Sequence, residues 1–306
     1  MAVPTGTASL LDIQNEFGGD TPISLSEYYG VVDGVPSSGT ISIDDFRGKS
    51  QATAFTFTIS SNKVNANLRT LAINAGWDQS VPVEATISGS VVISGDMQGN
   101  YTPALAVDGP WPNGVTLINN GIIVGHGGNG GVGVSITGSG TVAGTAGSAG
   151  GRALGVAVPL TLQNNGIIAA GGGGGGGGSA SFAYGYGSCG GGGGGGGRSG
   201  NYNSFGAPGG YAYGDVYGYN AAGRAGGNGG YVQQGSGGAG GLVYVGFYNY
   251  GGTGGSGGSW GTSGNSGNYG SFAAGYATSG GASGQAIYGN SYITYTATGT
   301  RLGSIV

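Results

Sequence analysis

The sequence predicts a mainly β chain with much irregular structure. It reads as a small N-terminal module of short helical turns, a β-sandwich-like middle, and a C-terminal sandwich of polyglycine (polyproline-II-like) helices carrying β-rungs. Three observations predict this. Two uninterrupted runs of eight glycines, Gly171–Gly178 and Gly190–Gly197, stand in a chain where 80 of 306 residues are glycine. Charged residues make up only 7% of the chain, and 16 of its 19 tyrosines lie beyond residue 171, among the glycines. Finally, a segment at Val115–Ile123 recurs at Leu160–Ile168. Disordered chains stay in solution through charge and avoid aromatics, and a flexible Gly/Ser linker has no use for tyrosine. The composition therefore points to ordered glycine.

Residues 1–50 carry an internal echo. Gly6-Thr7-Ala8-Ser9-Leu10-Leu11-Asp12-Ile13 matches Gly39-Thr40-Ile41-Ser42-Ile43-Asp44-Asp45-Phe46, and Ser24-Leu25-Ser26-Glu27-Tyr28 is a shorter version. Serine ahead of an apolar and acidic stretch caps the first free N–H groups of a helical turn, and the acid suits the positive end of its dipole. Three such turns are too small to fold alone without a partner surface. They read as a docking plug or as an ordinary microdomain, with size favouring the plug.

Residues 51–108 read as an antiparallel β domain. Ala54–Ile59, Val81–Ile87 and Val91–Ile93 contain apolar alternation of period two, and Ser88-Gly89-Ser90 suits a tight connection.

Residues 109–306 form the glycine-rich part. Val115-Thr116-Leu117-Ile118-Asn119-Asn120-Gly121-Ile122-Ile123 returns 45 residues later as Leu160-Thr161-Leu162-Gln163-Asn164-Asn165-Gly166-Ile167-Ile168, and more weakly at Ile293–Gly303. Asn-Asn-Gly between β-branched runs marks a hairpin or a corner, and repeats of this length imply stacked rungs. Collagen is excluded, because it needs glycine at every third position and abundant proline. An extended threefold polyglycine helix remains. It has no internal hydrogen bonds, so its backbone groups point sideways and must be paired by close neighbours. Six segments offer themselves: 125–133, 171–178, 190–197, 223–230, 235–241 and 251–258. The stretches 179–189, 198–222, 242–250 and 259–277 would be loops at the two ends. Their Tyr/Ser/Asn/Gly composition is that of antibody paratopes, where a rigid amphipathic ring gives contact area at low entropy cost. The same tyrosines could also cover the sides of the glycine bundle.

Several function classes are excluded or disfavoured. Eleven of the twelve acids lie at or before Asp108, and beyond residue 170 the only charges are Arg198, Asp215, Arg224 and Arg301. No basic stripe exists for nucleic acid, and a lone Asp215 supplies no carboxylate pair for glycoside hydrolysis. The single histidine, His126, reads as exposed rather than as a metal ligand, and the single cysteine, Cys189, as a small buried thiol rather than a nucleophile. No catalytic, cofactor-binding or metal-binding residue is expected, and no cofactor. No apolar run approaches a membrane span, and the first residues lack the charge and apolar stretch of a secretory leader.

The opening, Gly6–Gly19, Pro22–Tyr29 and Thr40–Phe46, resembles an N-terminal module common in tailed-bacteriophage virion proteins. Leu162-Gln163-Asn164-Asn165-Gly166-Ile167-Ile168-Ala169-Ala170 with its eight glycines, and Ala286–Tyr295 near the end, resemble phage tail-fibre and tip adhesins, some of which carry a sandwich of polyglycine helices with receptor-contacting loops at the distal end. The resemblance implies a virion protein of the phage tail, synthesised in the host cytoplasm. Its N-terminal part would dock on other tail proteins, with Leu10, Ile13, Phe17, Tyr28, Tyr29, Ile43 and Phe46 as candidate contacts. The aromatic loops would bind a bacterial surface protein or glycan, with Tyr184, Tyr186, Tyr202, Phe205, Tyr211, Tyr213, Tyr217, Tyr219, Tyr248, Tyr250, Trp260 and Tyr269 as candidates. The chain would act as a homo-oligomer (a trimer) or as a single tip copy. The alternative is a purely structural virion protein, a head decoration or fibre subunit without a receptor.

Overall fold

The computed structural model describes the chain except residues 1, 33, 50–52, 97–101, 138–139, 184–186, 195, 201–208, 210–219, 231–232 and 245–246. It divides into two compact units, residues 1–55 with 80–82, and residues 56–79 with 83–306.

The first unit contains one α-helix, α1 (Leu10–Phe17), and two short 3₁₀ turns, Leu25–Tyr28 and Ile43–Phe46. Each begins with a serine in extended conformation whose N–H is accepted by the carboxylate three residues on: Asp12 at 2.8 Å, Glu27 at 3.1 Å and Asp45 at 2.7 Å. The apolar residues of these turns face inward. Ile13, Tyr28 and Phe46 are buried with Val3 and Val35, and Leu10, Phe17 and Ile43 pack against them. Phe46 meets the rings of Phe17 and Tyr28 edge-on, at 6.0 Å in both cases. Burial removes Ile13, Tyr28 and Phe46 from the candidate docking contacts, while Leu10, Phe17 and Ile43 remain half-buried at the surface of this core. Ile13, Tyr28 and Phe46 are the module's own core, and only Tyr29 of the seven candidates is exposed.

The second unit is a parallel β-solenoid of five coils. Its first coil holds β1 (Phe55–Ile59), β2 (Lys63–Val64) and β3 (Ala66–Asn67), followed by α2 (Leu68–Asn74). The second holds β4 (Val83–Ile87), β5 (Val92–Ser94) and β6 (Leu105–Val107). The third has β7 (Val115–Asn119), β8 (Ile122–Val124), an insertion with β9 (Ser135–Thr137) and β10 (Gly140–Val142), then β11 (Leu154–Val156). The fourth has β12 (Leu160–Asn164) and β13 (Ile167–Ala169). A long insertion comes next, with β14 (Ala180–Ala183), β15 (Gly187–Cys189), β16 (Asn220–Ala221), β17 (Leu242–Tyr244), β18 (Tyr248–Tyr250) and β19 (Ala273–Ala274), before β20 (Gln285–Tyr288). The fifth coil is β21 (Ile293–Ala297), β22 (Thr300–Leu302) and β23 (Ser304–Ile305). Each coil gives one strand to each of three sheets, ordered β1-β4-β7-β12-β21, β2-β5-β8-β13-β22 and β3-β6-β11-β20-β23.

Two expectations change here. The strands of residues 51–108 are the first rungs of the stack, β4 pairing in parallel with β7 and β5 with β8, so neither an antiparallel domain nor a sandwich separates them from the later rungs. Period-two alternation marks a strand with one face buried and is silent on the direction of its neighbour. The Asn-Asn-Gly segments are corners, not hairpins. The recurring rungs lie in register, Leu117 beside Leu162 and Leu162 beside Tyr295. At the corner Asn119 Nδ2 donates to Asn164 Oδ1 at 2.7 Å, Asn164 Nδ2 donates to the Thr298 carbonyl at 2.8 Å, and both asparagines are fully buried. Asn165 and Asn120 repeat this pairing on the exposed side at 2.9 Å. Asn164→Ala is expected to lower stability by about 2 kcal/mol, because it takes the Asn164 acceptor from the buried Asn119 amide and leaves a void in the corner. Asn165→Ala should stay within about 0.5 kcal/mol. Paired denaturant melts measure the difference.

Both insertions are built from glycine. The run 171–178 leaves the solenoid after β13 and donates its N–H groups in three directions, each recurring every third residue. Gly171, Gly174 and Gly177 donate to Gly151, Ser148 and Thr145; Gly172 and Gly178 donate to Arg198 and Gly192; Gly173 and Gly176 donate to Thr262 and Asn265. Its carbonyls accept in three further directions, from Gly128 and Gly131, from Gly255 and Gly258, and from Thr278, Gly281 and Gly284. Six segments thus surround it. Three of them, 145–151, 262–268 and 278–284, are absent from the six that glycine content singles out, and 262–268 falls inside an expected loop.

Candidate functional site

The glycine segments fix where the connecting loops go. Residues 125, 151, 171 and 284 adjoin the solenoid strands, and Gly171 is bonded to Gly151 and Gly284. Gly178, at the other end of its run, is bonded to Gly192 and Val134. The loops after residues 134, 178 and 241 and those before residues 190, 251 and 278 therefore gather at the end remote from the solenoid. Among the described residues the aromatic stretches 242–250 and 269–277 lie at this remote end, while the turn carrying Trp260 lies at the solenoid end.

Four stretches of this remote end are uncharged and rich in aromatic residues. These stretches, 135–142, 180–189, 242–250 and 269–277, contain no Asp, Glu, Lys, Arg or His. The antiparallel strands β17 and β18 pair Leu242 with Tyr250, Val243 with Asn249 and Tyr244 with Tyr248. Alternation puts Leu242, Tyr244, Tyr248 and Tyr250 on the outer face, 48–65% exposed, and Asn249 inside, fully buried. The Tyr244 and Tyr248 rings lie 5.0 Å apart, and Phe247 meets Phe272 edge-on at 5.6 Å. Tyr269, Phe272 and Tyr276 are exposed nearby in sequence. Beside β14 a recess of about 290 Å³ is lined by Ile136, Thr137, Gly140, Thr141, Phe182 and Ala274.

Beneath this surface a buried polar network holds the loops. Ser181 Oγ donates to Asn249 Oδ1 at 2.6 Å and accepts the Phe272 N–H at 3.0 Å; Ser271 Oγ donates to the same Asn249 oxygen at 3.1 Å. The Cys189 thiol donates to the Asn249 carbonyl at 3.1 Å, and burial pushes its pKa up, which keeps it protonated and unreactive. Asn249 therefore links three loops from inside while its neighbours in β18 present tyrosines outward.

Of the candidate contacts, Tyr248, Tyr250 and Tyr269 stand exposed in these loops. Tyr184, Tyr186, Tyr202, Phe205, Tyr211, Tyr213, Tyr217 and Tyr219 lie outside the described residues. Trp260 is a correction. It is only 8% exposed, packs with Val124 and Ala169 where the glycine segments leave the solenoid, and donates its indole N–H to the Ser199 carbonyl at 3.2 Å beneath the Arg198 guanidinium. Leu242, Tyr244, Phe247, Phe272 and Tyr276 were missed as individual residues, although all five lie in the stretches singled out as loops. His126 is likewise buried rather than exposed. Its ring fills the space over Gly151, where a Cβ would meet Cδ2 at 2.2 Å. Among the described residues no group of three His, Cys, Asp or Glu could hold a metal ion, and no helix is long and apolar enough to cross a membrane.

Comparison with known proteins gives the same division. No curated protein sequence matches the chain. Among solved structures it is similar to the gp37-gp38 adhesin tip complex of the bacteriophage S16 long tail fibre, at 23% identity and a TM-score of 0.49, covering 99% of this chain and 94% of that one. Residues 54–306 match the family model of the phage tail fibre adhesin Gp38. That match spans the whole solenoid with its glycine insertions and leaves only the capped N-terminal turns outside it, so the chain belongs to the phage tail fibre adhesin Gp38 family.

Proposed function

We propose that this chain is the adhesin at the tip of a phage tail fibre, attached to other tail proteins through its N-terminal unit and binding a bacterial surface protein or glycan through the aromatic loops remote from the solenoid. The observation that carries the reading is the gathering of uncharged aromatic loops at one end of the glycine array, above a network centred on Asn249 that orders them. Tyrosine on an ordered hairpin gives contact area at little entropic cost. The glycine segments are read as threefold polyglycine helices, because hydrogen bonds recurring at every third residue toward separate neighbours are what such helices make. The role is binding rather than catalysis, since beyond Asp108 the sequence offers only one acid.

The test replaces Tyr244 and Tyr248 together with serine in the intact phage. Both side chains are more than 60% exposed, so the fold should survive, and adsorption to host cells should fall by about tenfold or more. Unchanged adsorption, with thermal unfolding also unchanged, would instead favour a purely structural fibre protein.

A further inference from the structure

One flank of the glycine array is polar yet carries no charge. Residues 225–300 contain no Asp, Glu, Lys, Arg or His, whereas a solvated protein surface ordinarily places charge at about 25–35% of its positions. Four segments lie side by side here. Gly227 and Gly230 donate their N–H groups to Ser236 and Gln233, Gly254 and Gly257 donate to Gly238 and Gly235, and Asn265 and Asn268 donate to Ser256 and Thr253, all at 2.8 or 2.9 Å. The outward positions hold small hydroxyl and amide side chains. Asn228, Ser236, Thr253, Asn265 and Asn268 are exposed. The Asn265 amide donates to Ser256 Oγ and the Asn268 amide to Thr253 Oγ1, both at 2.7 Å, so the pairing recurs at every third residue.

The flank is indented where the first three segments meet. A recess of about 350 Å³ is lined by Asn228, Gln233, Gln234, Ser236 and Ser256, with glycine between them. Its side chains are three primary amides and two hydroxyls, and each of these groups both donates and accepts. Ser256 Oγ accepts from Asn265 and keeps its own O–H to give. The backbone beneath is tied down, because Gly235 and Gly238 donate to Gly196 and Gly193, both at 2.7 Å. Two residues beyond Gly196, the Arg198 carbonyl accepts from Gly172, near the start of the run that leaves the solenoid. The recess therefore lies toward the solenoid end, apart from the aromatic loops. An acidic ligand would find no cation in this lining, and an apolar one would strand its amides and hydroxyls. The ring of a neutral sugar offers adjacent hydroxyls that donate and accept in the same way as the lining. We infer that this recess binds a neutral glycan, at a site separate from the aromatic loops. The lining is open to water, so a single engagement is weak, and repeated units along one glycan chain add to it.

The test mixes the full-length chain with neutral hexose and N-acetylhexosamine oligosaccharides, with sialylated ones as the acidic control, and reads saturation-transfer difference NMR. The expected result is transfer to neutral glycans with a Kd on the order of 1 mM, the same at low and high salt. Gln233→Ala combined with Gln234→Ala should weaken binding about tenfold. Both side chains are exposed, and thermal melts check that the fold is unchanged. Tyr244→Ser combined with Tyr248→Ser should leave this binding as it was. No transfer to any neutral glycan, transfer confined to the acidic ones, or transfer that survives the double glutamine change would overturn the inference. Loss of transfer in the tyrosine variant would overturn it as well, by placing the glycan on the aromatic loops.

Discussion

Gly174→Ala is expected to unfold the glycine array, at a cost above about 3 kcal/mol. Glycine-to-alanine changes in compatible backbone stabilise proteins by about 0.4–1 kcal/mol through the unfolded state, so the sign here depends on what the methyl meets. A Cβ on Gly174 would lie 1.8 Å from the Asn129 carbonyl oxygen and 2.3 Å from its carbon, both backbone and neither able to swing aside. The neighbouring strand must move, and with it the bonds that Gly174 makes to Ser148 and receives from Gly281. Ala146→Ser adds an atom in the same array at an exposed position and should change stability by less than about 0.5 kcal/mol. Urea melts of the two variants measure the contrast. A Gly174→Ala protein as stable as its parent would mean that the packing around residue 174 is not what holds the array.

The glycine array was legible in the sequence in kind but not in extent, for a reason visible in the triplets. The run 171–178, surrounded by six segments, carries no side chain at all. Segment 251–258 is bonded to 171–178, 190–197, 235–241 and 262–268, and its side chains fall at every third position, Thr253 and Ser256. Segment 262–270 reverses the proportion, with glycine only at 264, 267 and 270, and a Cβ on Gly264 or Gly267 would strike the central run. The number of glycines per triplet thus reports how many sides of a segment face another backbone. Counting glycine finds the centre, whereas only its phase finds the periphery, which is why 145–151 and 278–284 are missing from the six segments and 262–268 reads as part of a loop. The rungs were legible because their 45-residue echo is the length of one coil with its insertion. Their parallel direction was not, since alternation fixes which face is buried and nothing about the neighbour. The capped turns were legible as turns, but the burial of Ile13, Tyr28 and Phe46 depends on three copies closing on each other, which no single copy reveals.

Arg301→Leu in the last coil is expected to make the chain self-associate. All three sheets end there, on β21, β22 and β23, and the columns of the solenoid core change character at that point. Ile93, Ile123 and Ile168 stack along one column, each fully buried, and the next residue in register is Arg301. Ala85, Leu117 and Leu162 stack along another and are succeeded by Tyr295. The Arg301 guanidinium carbon lies 5.1 Å from the centre of the Tyr295 ring, so the aliphatic core ends under a charged and aromatic pair. An open parallel edge is a template for another chain, and an inward-pointing charge on the terminal strand is one of the devices that blocks it. Arg301→Leu continues the isoleucine column to the end of the stack and removes the desolvation cost that a second copy would otherwise meet. The folded chain itself should change by no more than about 1 kcal/mol, because Arg301 is only half-buried. Light scattering behind a sizing column should show the variant associating at micromolar concentrations where the parent does not, and aggregation should grow with concentration. A variant that elutes with the parent mass at every concentration would mean that the edge is closed by the backbone geometry of β22 and β23, and that Arg301 only packs on Tyr295.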